Sequence, residues 1–475
     1  MALLLCAVCL LAVLTAARAG TSWRSGAYLN HVAGVWATLA DDLRHGTFYR
    51  PIVGELGYGG TRFMPLHFVL HALLYRLSGG LLLSGYAIAL LAVTALVTGV
   101  FVLLRRIGVQ TLLGVSCAAL VMAGASSQLA LLTIRGDALA AALNVWGLAL
   151  CAGGAVPRGR IRGAAMLFTL AWAAKVTTVF GLLASFAMLL LSGRARQAWR
   201  LAALTLAGFG IVAAVTVAFS EGRALASMWA CALAGATPAS VLKSPLAVAS
   251  SLFLRPVELV FFVIALAAVL ASSREGYSRL PTLSFLATGA VTMLIFGSPG
   301  TTYNHLLDLH AAGVVMIGSW FVRKENHDGR LAAGALAAAA LIALHPVTDH
   351  LRYRDAEDRR REYRETAALA DTGEKPILAE NPMVPLTAGR RPYMLDPFMF
   401  RTVTTRQPAL GSAFWEALRQ RGFAAVVLEA DPRTEQGRKY LRESHFGNGF
   451  VEELEANYRF ACKVGRQLVY LPRER

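Results

Sequence analysis

The chain has 475 residues, of which 56% are hydrophobic and 16% are charged. So few charges are unusual for a soluble protein of this length, and the mean hydropathy of +0.52 indicates a polytopic membrane protein. The formal net charge of +17 would suggest nucleic-acid binding in a soluble domain. Here much of the excess lies in short loops between apolar segments, where it orients helices beside anionic lipid. We therefore expect the lipid bilayer as a partner and no nucleic acid.

Basic residues alternate between the connections that join the apolar segments. From Leu83 to about His345, every second connection carries a basic cluster. These clusters are Arg105-Arg106; Arg158, Arg160 and Arg162; Arg194, Arg196 and Arg200; Arg274 and Arg279; and Arg323, Lys324 and Arg330. The alternation is the positive-inside pattern, which puts these connections in the cytoplasm. Candidate functional residues are therefore expected among the polar residues of the outer face.

The apolar segments predict an α-helical polytopic membrane protein. A span needs about 20 apolar residues, which gives about eleven spans here, some of them short. Ala17-Arg18-Ala19 resembles a signal-peptide cleavage site, but no basic region precedes the apolar run Met1–Thr15. We predict an uncleaved first helix with a cytoplasmic N-terminus, and cleavage is the alternative. An odd number of spans then places the C-terminus outside.

A change of composition divides the chain into two predicted domains. Residues 1–346 form the transmembrane domain, including an outer loop at 20–80 with interfacial helices. Residues 347–475 form a small soluble α/β domain on the outer face, because short strand candidates alternate there with helical stretches. The strand candidates are Pro376–Glu380, Phe423–Glu429, Tyr458–Val464 and Gln467–Leu471. A densely charged helix, Arg352–Arg364, is predicted to precede them.

The outer loop begins with an amphipathic helix predicted over Gly26–His45. Its apolar positions follow a helical period and are Tyr28, Val32, Val35, Trp36, Leu39 and Leu43. Asp42 lies at the edge of this stripe, where partial desolvation would suit a carboxylate to act as a general base. Asp41 points away from the stripe and is expected to be solvated. The alternative is that both aspartates only keep the helix in contact with water.

A glycine-rich segment, Gly57–Leu66, follows this helix. Glycines let the backbone approach a ligand closely. Within the segment, Tyr58 is a candidate substrate contact, and Arg62 can bind a phosphate through its forked guanidinium group.

A second short helix is predicted to begin at Pro65. His67 and His71 are four residues apart on it, a spacing that can hold a metal ion. The HExxH motif is absent, because Phe68 stands where the glutamate would be. Histidines at the membrane interface are therefore the preferred interpretation. The cysteines show no metal-type spacing and no disulfide framework.

Two charged positions fall at outer turns between apolar segments. Arg135-Gly136-Asp137 places a charge pair at the mouth of two helices. Lys175 lies within the apolar run Leu167–Leu191, near its outer turn. A lysine deep in lipid costs roughly 2.5–3.5 kcal/mol, so Lys175 should face a partner or a cavity. The alternative is that its side chain extends to the interface.

The last candidates follow the glycine turn Gly297–Gly300. Asn304 and Asp308 are i,i+4 neighbours at the outer start of a helix, so both can point into one cavity. The alternative is that Asn304 caps the helix and Asp308 interacts with the helix dipole.

The order of these features resembles the GT-C superfamily of membrane glycosyltransferases, which use polyprenyl-phosphate-linked sugars. The resemblance covers the membrane part to about His345, and the tail is similar to the soluble tail of bacterial members. The matching features are the long first outer loop, Leu104-Arg105-Arg106, Arg135-x-Asp137-x-Leu139, Lys175, the glycine turn before Asn304, Glu380-Asn381-Pro382, Ala388 to Pro392 and Asp396-Pro397-Phe398.

The resemblance implies a reaction and a division of roles. An acid of the first outer loop deprotonates the acceptor hydroxyl, which attacks the anomeric carbon while the lipid phosphate leaves. Asp42 would be this base, with Asp41 next in line. The phosphate ligands would be Arg62, Arg135 and Lys175. The substrate contacts would be Tyr58, Asp137, Asn304 and Asp308. No metal or other cofactor is predicted, although a divalent metal is compatible with the sequence.

One departure from the family pattern concerns the start of the outer loop. Many members carry an acid immediately after the first helix, whereas Ser22–His31 contains none. Either Asp41 or Asp42 substitutes from further along the loop, or the chain has lost the chemistry.

The sequence thus predicts a hexosyl- or pentosyltransferase of the plasma (inner) membrane. It would move a sugar from a polyprenyl phosphate to a glycan, glycolipid or protein of the cell envelope. The alternatives are a transporter or flippase and a non-catalytic envelope assembly protein. Transporters tend to show repeated halves and broken helices, and no repeat is found here.

Overall fold

The computed structural model is predominantly helical. It describes residues 2–474 except 154–155, 234, 273–278, 322–332, 335, 345–357, 372 and 374. Several predicted features lie outside the described residues. They are Arg274, Arg323, Lys324, Arg330, the end of the last span at His345, the boundary at 346–347 and the first part of the charged helix Arg352–Arg364.

A bundle of apolar helices forms the first part of the chain. Its helices are α1 (Ala2–Ser25), α2 (His31–Arg44), α3 (Pro65–Ser78), α4 (Leu81–Arg106), α5 (Thr111–Leu120), α6 (Ala125–Leu132), α7 (Asp137–Cys151), α8 (Arg158–Ala174), α9 (Phe180–Leu191), α10 (Ala195–Phe219), α11 (Arg223–Leu233), α12 (Pro238–Phe253), α13 (Pro256–Ser272), α14 (Arg279–Phe296) and α15 (Leu306–Phe321). Residues 336–344 are also helical.

Several of these helices can cross a membrane, so the chain is a multi-pass membrane protein. Among the described residues, α1, α4, α10 and α14 are individually long and apolar enough. Two bent pairs pass the same test together: α5 with α6, bent by 75°, and α12 with α13, bent by 118°. Shorter apolar helices, such as α7 and α9, complete the bundle. The total of about eleven spans stays a prediction.

The described basic clusters gather at one end of this bundle, which we call the basic end. Arg106 at the end of α4 donates to the carbonyl of Ala149 over 2.5 Å, and Arg160 donates to the carbonyl of Leu150 over 2.8 Å. Arg279 donates to the carbonyl of Leu191, at the end of α9, over 2.8 Å. The described arginine clusters of the predicted cytoplasmic connections therefore lie on one side of the bundle, as the positive-inside pattern requires.

The opposite end, called the loop end, carries α2 and α3. Asn30 sets the start of α2, because its side chain accepts a hydrogen bond from the Ala33 amide over 3.1 Å. The helix predicted from Gly26 therefore begins only at His31. α2 is buried along its length from Ala33 to Asp42, since the C-terminal part of the chain covers it. The expectation of an interfacial helix with one solvated side is corrected accordingly.

The C-terminal part of the chain contains a four-stranded mixed sheet. Its strands are β3 (Ile377–Ala379), β4 (Ala425–Leu428), β5 (Tyr458–Val464) and β6 (Gln467–Pro472), arranged in the order β3-β4-β6-β5. β3 and β4 are parallel, and β6 is antiparallel to both β4 and β5. All four lie at the predicted strand positions. A cluster of buried aromatic side chains packs on one face of the sheet: Phe400, Phe414, Phe423, Phe446 and Phe450.

The tail docks onto the outer loop through backbone and side-chain hydrogen bonds. In the short hairpin β1 (Val53–Gly54) and β2 (Gly57–Tyr58), the Tyr58 amide donates to the Tyr393 carbonyl over 2.9 Å. Nearer the start of the tail, Asn381 donates to the Leu29 carbonyl over 3.2 Å. Gly57 fits this junction because it has φ +85° and because an added Cβ would lie 2.2 Å from the Tyr393 oxygen.

Replacing Gly57 by alanine tests this docking. Gly46 is a matched control, because it has a similar φ of +81° but open space around its Cβ position. Gly46→Ala should cost about 1–2 kcal/mol for the left-handed backbone alone. Gly57→Ala should cost clearly more, because the new methyl group meets the Tyr393 carbonyl. Thermal unfolding of the two detergent-solubilised variants measures the difference. Equal melting temperatures would contradict the proposed close contact.

Candidate active site

Charged residues from three connections meet at the loop end of the bundle. Asp137 begins α7, Lys175 directly follows α8, and Asp308 lies in the first turn of α15. We call the group they form with three neighbours the central cluster. Its members are Arg62, Arg135, Asp137, Lys175, Asn304 and Asp308. The sequence predicted nine site residues. Five of them, including Asp137 itself, lie close together, and Arg62 lies at the edge of this group.

Asp137 is the centre of this cluster. Its carboxylate accepts from the Arg135 Nε over 2.9 Å and from the Lys175 Nζ over 2.8 Å. The Asn304 amide nitrogen donates to the same carboxylate over 3.1 Å. The Asp137 and Lys175 side chains are only 10% and 14% exposed, so these contacts lie largely away from water. The low dielectric strengthens them.

Lys175 takes this position because α8 ends immediately before it. The Lys175 amide closes the last turn of α8 by donating to the Ala171 carbonyl over 3.0 Å. The chain then turns and enters α9 at Phe180, so the apolar run Leu167–Leu191 is two helices. The sequence left two interpretations of Lys175: its side chain faces a partner or a cavity, or it extends to the interface. The structure shows the first, and the partner is Asp137.

Asn304 and Asp308 both point into the central cluster, in agreement with the i,i+4 spacing that lets them share one cavity. Asn304 accepts from the Thr302 hydroxyl over 2.6 Å while its nitrogen donates to Asp137. Within the described residues, no backbone amide donates to the Asn304 side chain, so the capping alternative is not observed. One Asp308 oxygen lies 3.9 Å from the Lys175 Nζ. The other is buried without a hydrogen-bond partner among the described residues. Asp308 is thus the carboxylate of the cluster with a free oxygen.

Arg62 lies at the edge of the cluster. Its guanidinium donates to the Pro299 carbonyl over 3.3 Å and stands 5.7 Å from the centre of the Phe398 ring. Phe398 belongs to the tail and packs against Gly300, where an added Cβ would lie 2.4 Å from the ring. Pro299 belongs to the glycine turn that leads to Asn304, so Arg62 borders the cluster from this turn.

Asp42 lies apart from the central cluster in a buried ion triad. Arg50 binds it with two nitrogens, over 2.5 and 2.8 Å, and Arg391 of the tail binds it over 2.8 and 3.0 Å. The Asp42 and Arg50 side chains are 2% and 1% exposed. Arg391 also contacts the Thr47 hydroxyl over 2.8 Å. The role of Asp42 as a base stays a prediction. The observed contacts favour a structural role, in which Asp42 holds the outer loop against the tail.

Asp41 is less solvated than its position on the helix predicted. The residue is only 9% exposed, and its carboxylate lies 3.6 Å from the His45 ring nitrogen. Burial raises the pKa of Asp41, although the nearby His45 acts in the opposite direction. The expectation of a solvated acid is corrected, because the tail packs onto α2 through the helix Met383–Thr387. Helical periodicity alone cannot reveal a distant segment that covers the polar face.

Tyr58 and the two histidines of α3 are packing residues rather than members of the cluster. Tyr58 is 2% exposed, and its ring lies 5.1 Å from the Phe400 ring of the tail. His67 and His71 are fully buried, with ring centres 6.1 Å apart, which corrects their assignment to the interface. Trp36 covers His67 at 4.7 Å. Within the described part of the chain, no three metal-binding side chains come together.

The sequence interpretation missed Arg50 and Arg391 as the partners of Asp42. Arg391 lies in the segment Ala388 to Pro392, which carries part of the family resemblance, and Arg50 lies in Tyr49-Arg50-Pro51. Nothing in either segment indicates that the two arginines share one carboxylate. The available signal was the density of arginines beside prolines in two segments that lack acids of their own. That pattern indicates fixed guanidinium groups that need a carboxylate from elsewhere.

Comparison with solved structures identifies the fold. ArnT from Cupriavidus metallidurans bound to undecaprenyl phosphate aligns with a TM-score of 0.59 at 14% identity, covering 97% of both chains. Its apo form gives 0.60 at 15% identity and the same coverage. The oligosaccharyltransferase AglB from Archaeoglobus fulgidus, in complex with an inhibitory peptide and a dolichol-phosphate, gives 0.52 at 13% identity, covering 98% of this chain and 74% of AglB. No protein-family model and no curated protein sequence matches.

ArnT and AglB are GT-C membrane glycosyltransferases. This chain has the GT-C fold. The resemblance predicted from the sequence is therefore confirmed at the level of fold, and it extends over nearly the whole chain. Within this GT-C fold, the central cluster occupies the loop end of the bundle, beneath the tail. It combines three cations with two carboxylates, a composition that suits an anionic substrate held beside a proton acceptor.

Replacing Asp42 tests whether the buried triad holds the loop and the tail together. Asp42→Ala leaves Arg50 buried without its carboxylate and should destabilise the protein by about 3–5 kcal/mol. Asp431→Ala is the control, because Asp431 forms an ion pair with Arg433 that is largely exposed, and should cost no more than about 1 kcal/mol. Thermal unfolding in detergent measures both. A melting temperature for Asp42→Ala equal to that of the control would refute the structural role.

Proposed function

We propose that this protein is a membrane glycosyltransferase that takes a sugar from a polyprenyl-phosphate donor and transfers it to an acceptor on the outer face of the membrane. The observation that carries the proposal is the convergence of Arg62, Arg135 and Lys175 near two buried carboxylates within a GT-C fold. ArnT, which shares this fold, was solved with undecaprenyl phosphate bound. A lipid-linked phosphate is the donor group that such a cation cluster suits.

The proposed chemistry is a direct displacement at the anomeric carbon. The acceptor oxygen forms a bond to this carbon while the bond to the phosphate oxygen breaks, and the phosphate leaves with the electron pair. Lys175 and Arg135 stabilise the charge that develops on the leaving phosphate, and Arg62 contacts it from the opposite edge. Asp137 keeps Lys175 and Arg135 oriented. The described side chains supply the positive charge that the reaction needs.

The proton of the acceptor hydroxyl goes to a carboxylate, and here we modify the assignment made from the sequence. Asp42 and Asp41 were the predicted bases, but two guanidinium groups bind Asp42. We assign the base to Asp308, because its free oxygen is buried next to Lys175. Asp42 then acts at a distance, by holding the outer loop against the tail.

The proposed orientation follows the distribution of charge. The basic end faces the cytoplasm and the loop end faces outward. The tail, residues 347–475, would then be a soluble α/β domain on the outer face that covers the donor site through Phe398 and contributes to acceptor recognition. A periplasmic or extracellular acceptor, such as an envelope glycan, a glycolipid or a protein, agrees with this placement.

A second candidate function is a non-catalytic envelope assembly protein that retains the GT-C fold. One observation favours it. The segment Ser22–His31 has no acid, and Asp42, one of the two aspartates that could substitute for it, is bound by two arginines. Such a protein would keep the tail as its binding surface and would not need the central cluster.

A comparison of envelope glycans and glycolipids from the source cell, with and without this gene, separates the two functions. Wild type should restore a missing sugar increment, which mass spectrometry identifies. Lys175→Gln should reduce its formation by about 100-fold or more, as expected for the loss of a charged transition-state contact. Asp308→Asn should abolish it. Lys243→Gln is the matched control, because Lys243 is exposed on α12, and should restore the product fully.

Expression and melting temperature of each variant confirm that the protein is folded. Restoration by folded Lys175→Gln and Asp308→Asn would overturn the enzyme proposal in favour of the assembly protein. Restoration by Asp308→Asn alone would keep the transferase and return the base to Asp42 or Asp41. Asp42→Asn, included in the same series, then decides between those two residues.

A further inference from the structure

Two histidines from distant parts of the chain meet where the tail covers the outer loop. His31 is the first residue of α2, and His445 is the last residue of the short helical segment Leu441–His445 in the tail. The centres of their rings are 5.1 Å apart and the ring planes are inclined by 71°, so the edge of one ring meets the face of the other. This contact exists only while the tail is docked on the outer loop.

The ring of His445 is held by polar groups of the tail. Its Nδ1 lies 3.0 Å from one oxygen of Glu380, and its Nε2 lies 3.1 Å from the Tyr440 hydroxyl. The side chains of Glu380 and His445 are 4% and 2% exposed, so the two form a buried pair. The position of the His445 ring beside His31 is therefore fixed from within the tail.

Glu380 is an ionised carboxylate in this pair. It directly follows β3, and its second oxygen accepts hydrogen bonds from the Glu429 amide over 2.7 Å and from the Ala430 amide over 3.1 Å. Burial acts to raise the pKa of Glu380, but His445 and the two amides outweigh burial and hold the pKa below its usual value. A proton that the pair takes up therefore resides on His445.

His31 has no carboxylate of its own. In the described part of the chain it forms no ion pair, because the nearby Glu380 is already paired with His445. Burial and the charge of His445 lower the pKa of His31 from 6.5 to about 3. Glu380 acts in the opposite direction, and Arg135 of the central cluster adds to the lowering. His31 is thus neutral at neutral pH while the tail is docked.

Release of the tail changes the proton affinity of His31. In contact with water, a histidine has a pKa of about 6.5. The released form therefore binds a proton that the docked form excludes, and docking becomes weaker as the pH falls from 6.5 towards 3. Above pH 6.5 both forms are neutral, so the full strength of docking is present there. Each pH unit within this range changes the docking equilibrium by up to about tenfold.

Two buried carboxyl groups of the tail act in the opposite direction. Burial raises the pKa of Asp396 and of Glu429, so both bind protons more readily in the folded tail. Asp396 also faces the charge of His445. Both carboxyls are held by the tail itself: Asp396 accepts from the Met399 amide and Glu429 from the Gln467 side chain, each over 3.1 Å. Their contribution is therefore common to wild type and to variants of His31.

We propose that His31 and His445 form a pH-sensitive latch between the outer loop and the tail, which holds at neutral pH and loosens in acid when His31 takes up a proton. Loosening affects the loop end directly, because Phe398 of the tail packs there against the glycine turn and lies beside Arg62. The cover of the central cluster then depends on the pH of the compartment that the loop end faces. The latch is independent of the proposed function, since it requires no sugar transfer.

Hydrogen exchange of the full chain in detergent, followed by mass spectrometry, tests the latch. Peptides that cover α2 and β3 are compared at pH 7.5 and pH 5.0, after correction for the intrinsic pH dependence of exchange. Wild type should lose about tenfold or more of its protection at pH 5.0. His31→Phe keeps an aromatic ring against His445 but binds no proton, so its protection should change by less than about twofold. His45→Gln is the matched control, because His45 is an exposed histidine directly after α2, and should respond like wild type.

Three results would overturn the latch. Wild-type protection that is independent of pH would show that the histidine contact is not linked to protonation. An equal loss of protection in wild type and in folded His31→Phe would assign the response to other groups. Disappearance of the response in His45→Gln would move it to the end of α2. Melting temperatures at pH 7.5 show whether each variant is folded, and His31→Gln, which is neutral and smaller, should remove the response in the same way as His31→Phe.

Discussion

Positive charge that is withdrawn from water must be neutralised, and this requirement organises the loop end of the bundle. Lys175 follows an apolar helix and cannot remain unpaired there without a substantial cost. Asp137, at the start of another helix, supplies the carboxylate, and Asn304 from a third connection completes its hydrogen bonds. Three connections that are distant in the chain are thereby fixed relative to one another. The position of the candidate active site follows from this one ion pair and its neighbours.

The same requirement joins the tail to the outer loop. Asp42 receives one guanidinium from its own loop and a second from Arg391, more than three hundred residues away. Removing either partner would leave an uncompensated buried charge, so the loop and the tail are coupled energetically and not only in contact. Since Arg62 and the tail's Phe398 also meet, the attachment of the tail bears directly on the shape of the donor site.

Periodicity and composition predicted much of this structure because they report local preferences. Pro65 begins a helix as expected, and the four tail strands lie at the predicted strand positions. The need of Lys175 for a partner followed from its position within an apolar run. The sequence did not identify Asp137 as that partner, because the spacing of residues along the chain does not indicate which connections meet in the fold. For the same reason Asp41 was expected to be solvated. Its polar face is covered by a segment that only the tertiary fold brings there.

The Asp42 triad and the central cluster differ in how completely their charges are matched, and this difference indicates what each is for. The Asp42 triad has two cations on one carboxylate, each fixed by further hydrogen bonds to the tail or the loop, so its geometry is rigid. The central cluster has three cations and two carboxylates, and one Asp308 oxygen is free, which leaves room for an anion and a proton. A rigid junction and a reactive centre can therefore arise from the same few residue types, distinguished by how completely the charges are matched.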